Sequence, residues 1–375
     1  MKKYIVAMIL SSLVVISGVA FISTVSEGAN PVATSQGAQP NLLPNVIRSV
    51  NFATGGQYIN NIGLPVSYNT STTFSALNSV TRWSNELLVV GGSTNYSYSW
   101  APLIGLYSLH SGEFTDLTHE FITALSAGSW YLTAAAWDGS SLLIIGIAYE
   151  SGSTVPVMAS YNPNTGVFTN LSSIIPTSDS GWIPSGVAWG GSTFAIVGYM
   201  VVPTSTGGTP VMATYNGKTF TDVTATIPSA YSPDYFLGIT WVGNGYLITG
   251  WEGPGLYPSS SGLMALYSPH SGTFTNLSSL LPDNVYWVGT AAWHGNEALV
   301  VGVTYPDTPS EGILNLLTLT YTSFTPSGTD PFSASYYILD GAAWGEGNNF
   351  YAVGQTQPFY SPPVGSTAIM CEISF

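Results

Sequence analysis

Charged side chains are scarce in this chain of 375 residues. Aspartate, glutamate, lysine and arginine together make up 6% of it, against about 25% in ordinary soluble domains. The charges are also unbalanced, since 19 acids face five bases and the formal net charge at neutral pH is −14. Such a surface repels the phosphate backbone, so we expect no nucleic-acid partner.

Cysteine is almost absent, because Cys371 is the only one in the chain. A single cysteine forms no intramolecular disulfide and cannot build a thiolate metal site. Motifs that carry catalysis are missing as well: the sequence has no G-x-S-x-G elbow, no H-E-x-x-H helix and no phosphate-binding loop. We therefore expect no metal and no cofactor, and an enzyme is the less favoured class.

The excess of acids predicts an acidic extracellular habitat. At strongly acidic pH the carboxylates are protonated and the net charge becomes small, which removes the repulsion that drives acid unfolding. Uncharged polar side chains and glycans then supply the solubility. The candidate glycosylation sites are four Asn-x-Ser/Thr triplets, in which each asparagine is as well suited to capping a turn: Asn69, Asn95, Asn170 and Asn276.

The N-terminus is typical of an export segment. Lys2 and Lys3 precede an apolar stretch that runs from Tyr4 to about Val25. Residues 1–29 are predicted to be a signal peptide or, since the apolar run approaches the roughly 20 residues that span a bilayer, an N-terminal membrane anchor. Residues 30–45 are rich in proline, glycine and small polar groups, which predicts a flexible leader. Both alternatives make residues 46–375 a secreted or cell-surface domain.

Six tryptophans recur through this domain at intervals of 54, 52, 52, 52 and 51 residues: Trp83, Trp137, Trp189, Trp241, Trp293 and Trp344. Each is followed by a short polar turn and an apolar run that ends in glycine. A fixed period near 50 residues with strand-like segments inside each unit predicts an all-β fold, a six-bladed β-propeller with four-stranded blades. We interpret the tryptophans as residues that pack between blades.

The second repeat shows the expected blade. Thr133 to Trp137 form a small-residue strand suited to the crowded propeller axis, and Leu142 to Ile147 form a continuously apolar strand. Val157 to Tyr161 and Val167 to Leu171 flank an Asn-Pro-Asn-Thr-Gly turn and predict a hairpin. The four strands of each blade are called a, b, c and d, from the axis outwards.

The last repeat lacks a strand d, and the N-terminus supplies a segment of the right kind. Tyr58-Ile59-Asn60 aligns with Phe168-Thr169-Asn170 of the second repeat. An N-terminal strand that completes the final blade would close the ring and remove its open edges. Because residues 46–55 resemble a strand c, a five-stranded closing blade or an irregular seventh blade is the alternative.

The repeat resembles the kelch repeat, in which a hydrophobic run, a double glycine, a spaced tyrosine and a tryptophan follow one another. Only Gly91-Gly92 keeps the double glycine, and phenylalanine stands in the tryptophan position at Phe114, Phe168 and Phe274. The resemblance covers residues 46–375 and implies the propeller fold more than any activity. The copper site of galactose-oxidase-like kelch propellers has no counterpart among the histidines and Cys371.

A binding site is expected on one face of the ring. The a–b and c–d turns are short and share one face, whereas the b–c loops and the d–a connections between blades are long, dissimilar and share the other. Shortly before each repeated tryptophan, the d–a connections carry aromatic residues: Trp130, Tyr131, Trp182, Tyr235, Tyr286, Trp287 and Tyr336. If exposed, these rings would stack on sugars or anchor a protein partner; if packed between blades, they are core.

Carboxylates also favour this face, with Asp234, Asp283 and Asp340 assigned to d–a connections and Glu252 to a b–c loop. We therefore expect a binding module whose partner is a glycan or an envelope protein. The alternative is an extracellular carbohydrate-active hydrolase or lyase that uses two of these carboxylates. A third hypothesis is a structural component of a surface array.

Overall fold

The computed structural model describes residues 57–61, 73–95, 100–150, 153–176, 181–201, 208–231, 234–253, 261–304, 308–324, 337–345, 349–356 and 367–374. The predicted export segment, the leader and the strand-c-like residues 46–55 lie outside these ranges, as does Asn69. Within the described part of the chain, no helix is both long enough and apolar enough to cross a membrane.

The first three blades follow one another along the chain. The first contains Thr73–Trp83 (β2), Glu86–Asn95 (β3), Trp100–Ser108 (β4) and Phe114–Asp116 (β5). The second contains Trp130–Trp137 (β6), Leu142–Glu150 (β7), Ser153–Asn162 (β8) and Val167–Asn170 (β9). The third contains Trp182–Trp189 (β10), Phe194–Val201 (β11), Gly208–Tyr215 (β12) and Phe220–Asp222 (β13).

The remaining blades complete the ring. The fourth contains Tyr235–Trp241 (β14), Tyr246–Glu252 (β15), Ser261–Ser268 (β16) and Thr273–Asn276 (β17). The fifth contains Val285–His294 (β18), Glu297–Thr304 (β19), Thr308–Asn315 (β20) and Thr320–Phe324 (β21). The sixth contains Tyr337–Trp344 (β22), Asn349–Thr356 (β23), Thr367–Ser374 (β24) and, as its outermost strand, Gln57–Asn61 (β1).

The closing strand confirms the prediction made from the sequence. β1 pairs antiparallel with β24, and Tyr58 lies opposite Ile373. The first and last strands of the described chain therefore share one sheet, which closes the ring with hydrogen bonds. The described residues form six four-stranded antiparallel sheets, a six-bladed β-propeller.

The core lies between the blades. Side chains of each sheet pack against the next sheet in continuous buried clusters, for example Leu88 and Ile104 of the first blade with Trp130 and Leu142 of the second. The largest cluster joins the fifth, sixth and first blades. Burying both faces of every sheet in this way explains why strand b reads as an unbroken apolar run.

Steric contact explains why each apolar run ends in glycine. Gly146 of β7 pairs with Leu132 of β6, and a Cβ at this glycine would collide with the Tyr131 carbonyl oxygen. The equivalent glycine of the fourth blade, Gly250, meets the Tyr235 carbonyl oxygen in the same way. The repeated glycine therefore lets strand a approach strand b closely at a β-bulge, where the backbone of strand a turns its carbonyl toward strand b.

A short helix, α1, spans Thr118–Leu125 in the connection between the first and second blades. The Asp116 carboxylate accepts the Thr118 backbone N–H (2.9 Å) at its start, and the helix ends at Ser126 in a left-handed conformation (φ 55°). Its one buried residue, Phe121, packs edge-on against Trp130 and Phe168. The helix thus covers the loop-side edge of the interface between these two blades.

Candidate functional site

The ring has two faces that differ in their connections. The turn face carries the short a–b and c–d turns, such as residues 84–85 and 163–166. The loop face carries the b–c loops and the d–a connections. Much of the b–c loops lies outside the described residues, so the loop face is described from its strand ends and d–a connections.

The aromatic residues predicted to ring the loop face do not lie in loops. They are the first residues of the inner strands, and the exposed fraction of the following side chains is 8% or less: Trp130, Tyr131, Trp182, Tyr286 and Trp287. Tyr235 is half-buried, and Tyr336 lies outside the described ranges. The expectation of exposed aromatic platforms is therefore wrong for these five buried residues. They pack as core, which was the alternative that the sequence left open.

Tyr131, Tyr286 and Trp287 meet in one buried cluster at the loop-face end of the inner strands, whereas Trp130 and Trp182 pack in the cores between neighbouring blades. All six blades contribute to it: Trp100, Tyr131, Ile147, Ile183, Tyr199, Leu237, Trp251, Tyr286, Trp287, Val303 and Ile338. Its rings touch across blade boundaries, as in the edge-to-face contact of Tyr199 with Tyr235 (4.9 Å between centroids). We call this cluster the aromatic plug, because its apolar side chains from all six blades pack together at the loop-face end of the ring.

Asp234 lies at the loop-face end of the fourth blade, directly before β14. Its carboxylate accepts the Gly253 backbone N–H (3.0 Å) and is 6% exposed. Burial, opposed by this hydrogen bond and reinforced by the charge of Glu252, raises the pKa of Asp234 to about 6. Asp234 is thus a buried carboxyl that holds the start of strand a to the end of strand b.

Asp340 is not in a d–a connection, as the sequence had suggested, but inside β22. Its side chain is 1% exposed, and burial raises its pKa well above the ordinary value. Asp234 and Asp340 belong to the fourth and sixth blades, and both carboxyls are buried. The sequence misplaced Asp340 because a β-bulge interrupts the alternation of strand a at this residue.

A cleft of about 570 Å³ opens on the loop face between the fourth and fifth blades. Its polar lining consists of Glu252, Ser261, Asn276, Ser278, Ser279 and Asp283, and its apolar wall of Leu281, Pro282 and Val285. Ser261 donates its hydroxyl to Glu252 (3.3 Å), which joins the two sides of the b–c loop. The volume is within the usual range of small-ligand sites, about 300–1,000 Å³.

One wall of this cleft depends on a glycine. A Cβ at Gly262 would lie 3.0 Å from side-chain atoms of Leu281 and Val288 and 3.1 Å from Val285. The apolar wall therefore packs directly on the backbone of β16. Sequence reasoning noted Glu252 and Asp283 but could not place them in one cleft, because they come from different loops.

The six repeated tryptophans pack between blades at the turn face, as predicted. A Cβ at Gly243, in the a–b turn of the fourth blade, would lie 3.3 Å from the ring of Trp293 in the fifth. The Trp344 ring stacks on His294 of the preceding blade (3.6 Å between centroids, 9° between planes). Trp83, Trp189, Trp241 and Trp293 are only half-buried, so the more accessible indoles lie opposite the aromatic plug.

Two of the candidate glycosylation triplets belong to a turn motif that ends strand d. The Asn276 side-chain oxygen accepts the Ser278 backbone N–H (2.7 Å), and the Ser278 hydroxyl accepts the Met264 N–H (3.1 Å). Asn170 with Ser172 makes the same turn contact, as does Asp222 with Thr224. The turn-capping role left open by the sequence is therefore confirmed for Asn170 and Asn276, and for Asn95 the side chain is not described.

Metal binding finds no support in the described residues, where no group of three or more histidine, cysteine or acidic side chains is placed to hold an ion. Cys371 is buried in the core of the sixth blade. The described residues of the loop-face cleft offer hydroxyl, amide and carboxylate groups for hydrogen bonding.

Comparison with known proteins supports the fold. No protein-family profile and no curated protein sequence matches the chain. Trypanosoma rangeli sialidase is similar in structure, with a TM-score of 0.54 at 9% identity over 85% of this chain and 60% of the sialidase chain. YCF48 from Cyanidioschyzon merolae gives a TM-score of 0.45 at 12% identity over 85% of this chain and 99% of its own. The chain thus spans about 60% of the sialidase's length, and at this identity the likeness shows the β-propeller fold alone.

Proposed function

We propose that this protein is a binding module of the cell exterior that holds a glycan in the cleft between its fourth and fifth blades. The observation that carries the proposal is the composition of that cleft, which combines carboxylate, hydroxyl and amide groups with an apolar wall. Sugars need both, because their hydroxyls form hydrogen bonds while their C–H faces pack on apolar surface.

The carboxylates of the cleft suit a neutral, hydroxyl-rich ligand. Glu252 and Asp283 are hydrogen-bond acceptors when ionised, and a sugar hydroxyl donates to them without having to carry a charge. Asp283 and Ser261 are exposed, whereas Leu281 and Val285 are buried at the base of the wall. The polar groups therefore line the mouth and the apolar groups the floor, as in a site that a ligand enters from solvent.

The scaffold around the cleft supports a fixed site. Asn276 and Ser278 are held by the turn motif at the end of β17, and Val285 begins strand a of the fifth blade. Glu252 and Asn276 therefore lie at strand ends, whereas Leu281, Pro282 and Asp283 belong to the connection that precedes β18.

The test is a glycan array, together with retention of cell-envelope fractions, at acidic and at neutral pH. The double variant Glu252→Gln with Asp283→Asn should lose at least about tenfold in glycan affinity, the equivalent of about 1.4 kcal/mol. Its melting temperature should stay within about 2 °C of the unsubstituted protein, because Asp283 is exposed, Glu252 is only half-buried, and both replacements keep the size of the side chain.

Asp222→Asn is the matched control. It removes one negative charge at the turn motif of the third blade, where the second and fourth blades carry asparagine. Its glycan binding should be unchanged. Capture of an envelope protein with no glycan signal, or equal binding by the double variant and the control, would refute the proposal.

A second candidate is an extracellular carbohydrate-active hydrolase or lyase, favoured by the presence of two carboxylates, Glu252 and Asp283, in one cleft. Polysaccharides that bind on the array are incubated with the protein at acidic pH and analysed for shortened products. Products that disappear in the double variant would support the enzyme, whereas intact polysaccharide would support binding alone.

The compartment is part of the same proposal: a secreted or surface-tethered, kelch-type propeller that works in an acidic medium. The kelch-like tyrosine and phenylalanine stack within the blade, as Tyr161 does on Phe168 (4.5 Å between centroids). The acidic medium is supported by Asp234 and Asp340, whose raised pKa values favour the folded chain when protonated. Mass spectrometry of the mature N-terminus and of Asn170 and Asn276 peptides tests export and glycosylation.

A further inference from the structure

Every inner strand of the propeller carries a β-bulge at the same place, and β18 carries a second one nearer its start. At the shared bulge, the strand register skips the residue that follows the partner of the repeated glycine: Asn78, Thr133, Ser185, Leu237, Gly289 and Asp340. We call these six residues the bulge positions. They lie on the channel side of the ring, one in each blade.

Three polar bulge residues join their own blade to the next one. Asn78 donates its side-chain N–H to the Leu132 carbonyl oxygen, at 2.7 Å. The Thr133 hydroxyl donates to the Pro184 carbonyl and the Ser185 hydroxyl to the Phe236 carbonyl, each at 2.7 Å. In all three, the acceptor is the residue just before the bulge position of the following blade.

The backbone alone gives this direction to the side chain. Gly289, the bulge position of the fifth blade, has no side chain, yet a Cβ built there lies 3.3 Å from the Leu339 carbonyl oxygen of the sixth blade. Leu339 is again the residue just before the next bulge position. A side chain at a bulge position therefore starts out toward a carbonyl oxygen of the next blade.

Asp340 occupies the bulge position at the junction of the sixth and first blades, and the equivalent acceptor is the Leu77 carbonyl oxygen. The environment is fully enclosed, with Asp340 1% and Leu77 0% exposed. An ionised carboxylate has no proton to donate, whereas a carboxylic acid donates one. At this one position, the hydrogen bond between blades is therefore available only to the protonated side chain.

We propose that Asp340 is a proton-operated clasp, whose protonated carboxyl donates to the Leu77 carbonyl oxygen and ties the last blade to the first. When the proton leaves, the donor is lost and a negative charge faces the same oxygen in a buried site. The junction between the sixth and first blades is then weakened. Acid therefore tightens the propeller at this junction, and neutral pH loosens it.

Several titratable groups lie on the strands around Asp340. The Tyr131 hydroxyl donates to the Asn78 side-chain oxygen (3.4 Å). Burial raises the pKa of Tyr131, and the negative charge of Asp340 raises it further. Glu311 lies at the level of the bulge but on strand c of the fifth blade. Other titratable groups of the adjoining strands lie nearer the turn face: Arg82, His294, Glu297, Tyr351 and Glu372. Burial is the cause that raises the pKa of Asp340 itself.

The test compares urea unfolding of the full-length chain, Asp340→Asn and Asn78→Asp across a pH series. Asparagine donates at every pH, as Asn78 does. Relative to Asp340→Asn, the unfolding equilibrium constant of the unsubstituted chain should rise by up to about tenfold per pH unit above 3.8, the ordinary carboxyl value. Below that value, the two proteins should be equally stable. Asn78→Asp should destabilise the chain further at neutral pH, because it places a second ionisable carboxyl at a bulge position.

Carbon-13 labelling of the leucine carbonyls and aspartate carboxyls gives a direct readout in the unsubstituted chain. The Leu77 carbonyl resonance should shift with the same midpoint as the Asp340 carboxyl resonance. Different midpoints would overturn the clasp, as would an Asp340→Asn protein that is less stable than the unsubstituted chain at every pH or that fails to fold. None of these results depends on glycan binding.

Discussion

Replacing Trp287 by alanine tests whether the aromatic plug is core or binding surface. A buried tryptophan removes about 150–250 Å² from water, which is worth about 4–6 kcal/mol at about 25 cal/mol per Å². Part of this is offset, because the Trp287 indole N–H is buried without a hydrogen-bond partner among the described residues and such a group costs about 1–3 kcal/mol. We expect a net loss of about 3 kcal/mol in the free energy of unfolding.

Trp293 is the matched control, since it lies on the same strand, β18, but at the turn face. Its ring is half-buried, and its indole N–H donates to the Gly295 carbonyl oxygen (2.7 Å). Trp293→Ala should therefore cost about 1 kcal/mol, the order of one lost hydrogen bond with partial burial.

Urea unfolding followed by circular dichroism measures both variants, and Trp287→Phe separates ring packing from the unpaired N–H. Phenylalanine keeps an aromatic ring and removes the N–H, so its cost should be well below that of alanine. The reasoning is refuted if Trp287→Ala unfolds at the same urea concentration as Trp293→Ala. Loss of glycan binding with unchanged stability would instead show that Trp287 belongs to a binding surface.

Three further changes follow from the geometry. Asp234→Asn should flatten the pH dependence of stability. In the folded chain the pKa of Asp234 is about 6, above the ordinary 3.8, so protonated Asp234 stabilises the fold fully below pH 3.8 and this stabilisation is lost as the pH rises through about 6. Urea unfolding of the unsubstituted chain below pH 3.8 and above pH 6 should differ in free energy by up to about 3 kcal/mol through this residue. Gly250→Ala should destabilise by about 1–3 kcal/mol, because its Cβ meets the Tyr235 carbonyl oxygen. Gly128→Ala, with open space around the Cβ, should have little effect on the melting temperature. Asp222→Ala should cost about 1 kcal/mol through its lost turn cap, and Asp222→Asn almost nothing.

The architecture was predictable because its causes are local and repeated. Every blade needs a glycine where strand a approaches strand b and an Asx turn where strand d ends, so Gly146 and Asn170 recur in register with the tryptophans. The closing strand was predictable for the same reason, since Tyr58-Ile59-Asn60 carries the pattern of a strand d that the last repeat lacks.

The candidate site was predictable only in part. The loop face was expected to carry exposed rings, but Trp182 and Trp287 are buried. Their environment is made by residues of neighbouring blades about 50 positions away, and no local pattern records that neighbourhood. The β-bulge adds a second difficulty, because the extra residue Asp340 interrupts the alternation of strand a at the point where the sequence had suggested a loop.

The sequence by itself determined the propeller fold and the order of strands within a blade, and it favoured six blades closed by an N-terminal strand, because each follows from a motif repeated along the chain. Only the tertiary structure decided that Tyr131 and Trp287 pack in the aromatic plug, that Glu252 and Asp283 share one cleft, and that Asp340 is buried inside β22. These depend on how two blades meet. That meeting is set by packing between sheets, which brings together residues that the sequence keeps far apart.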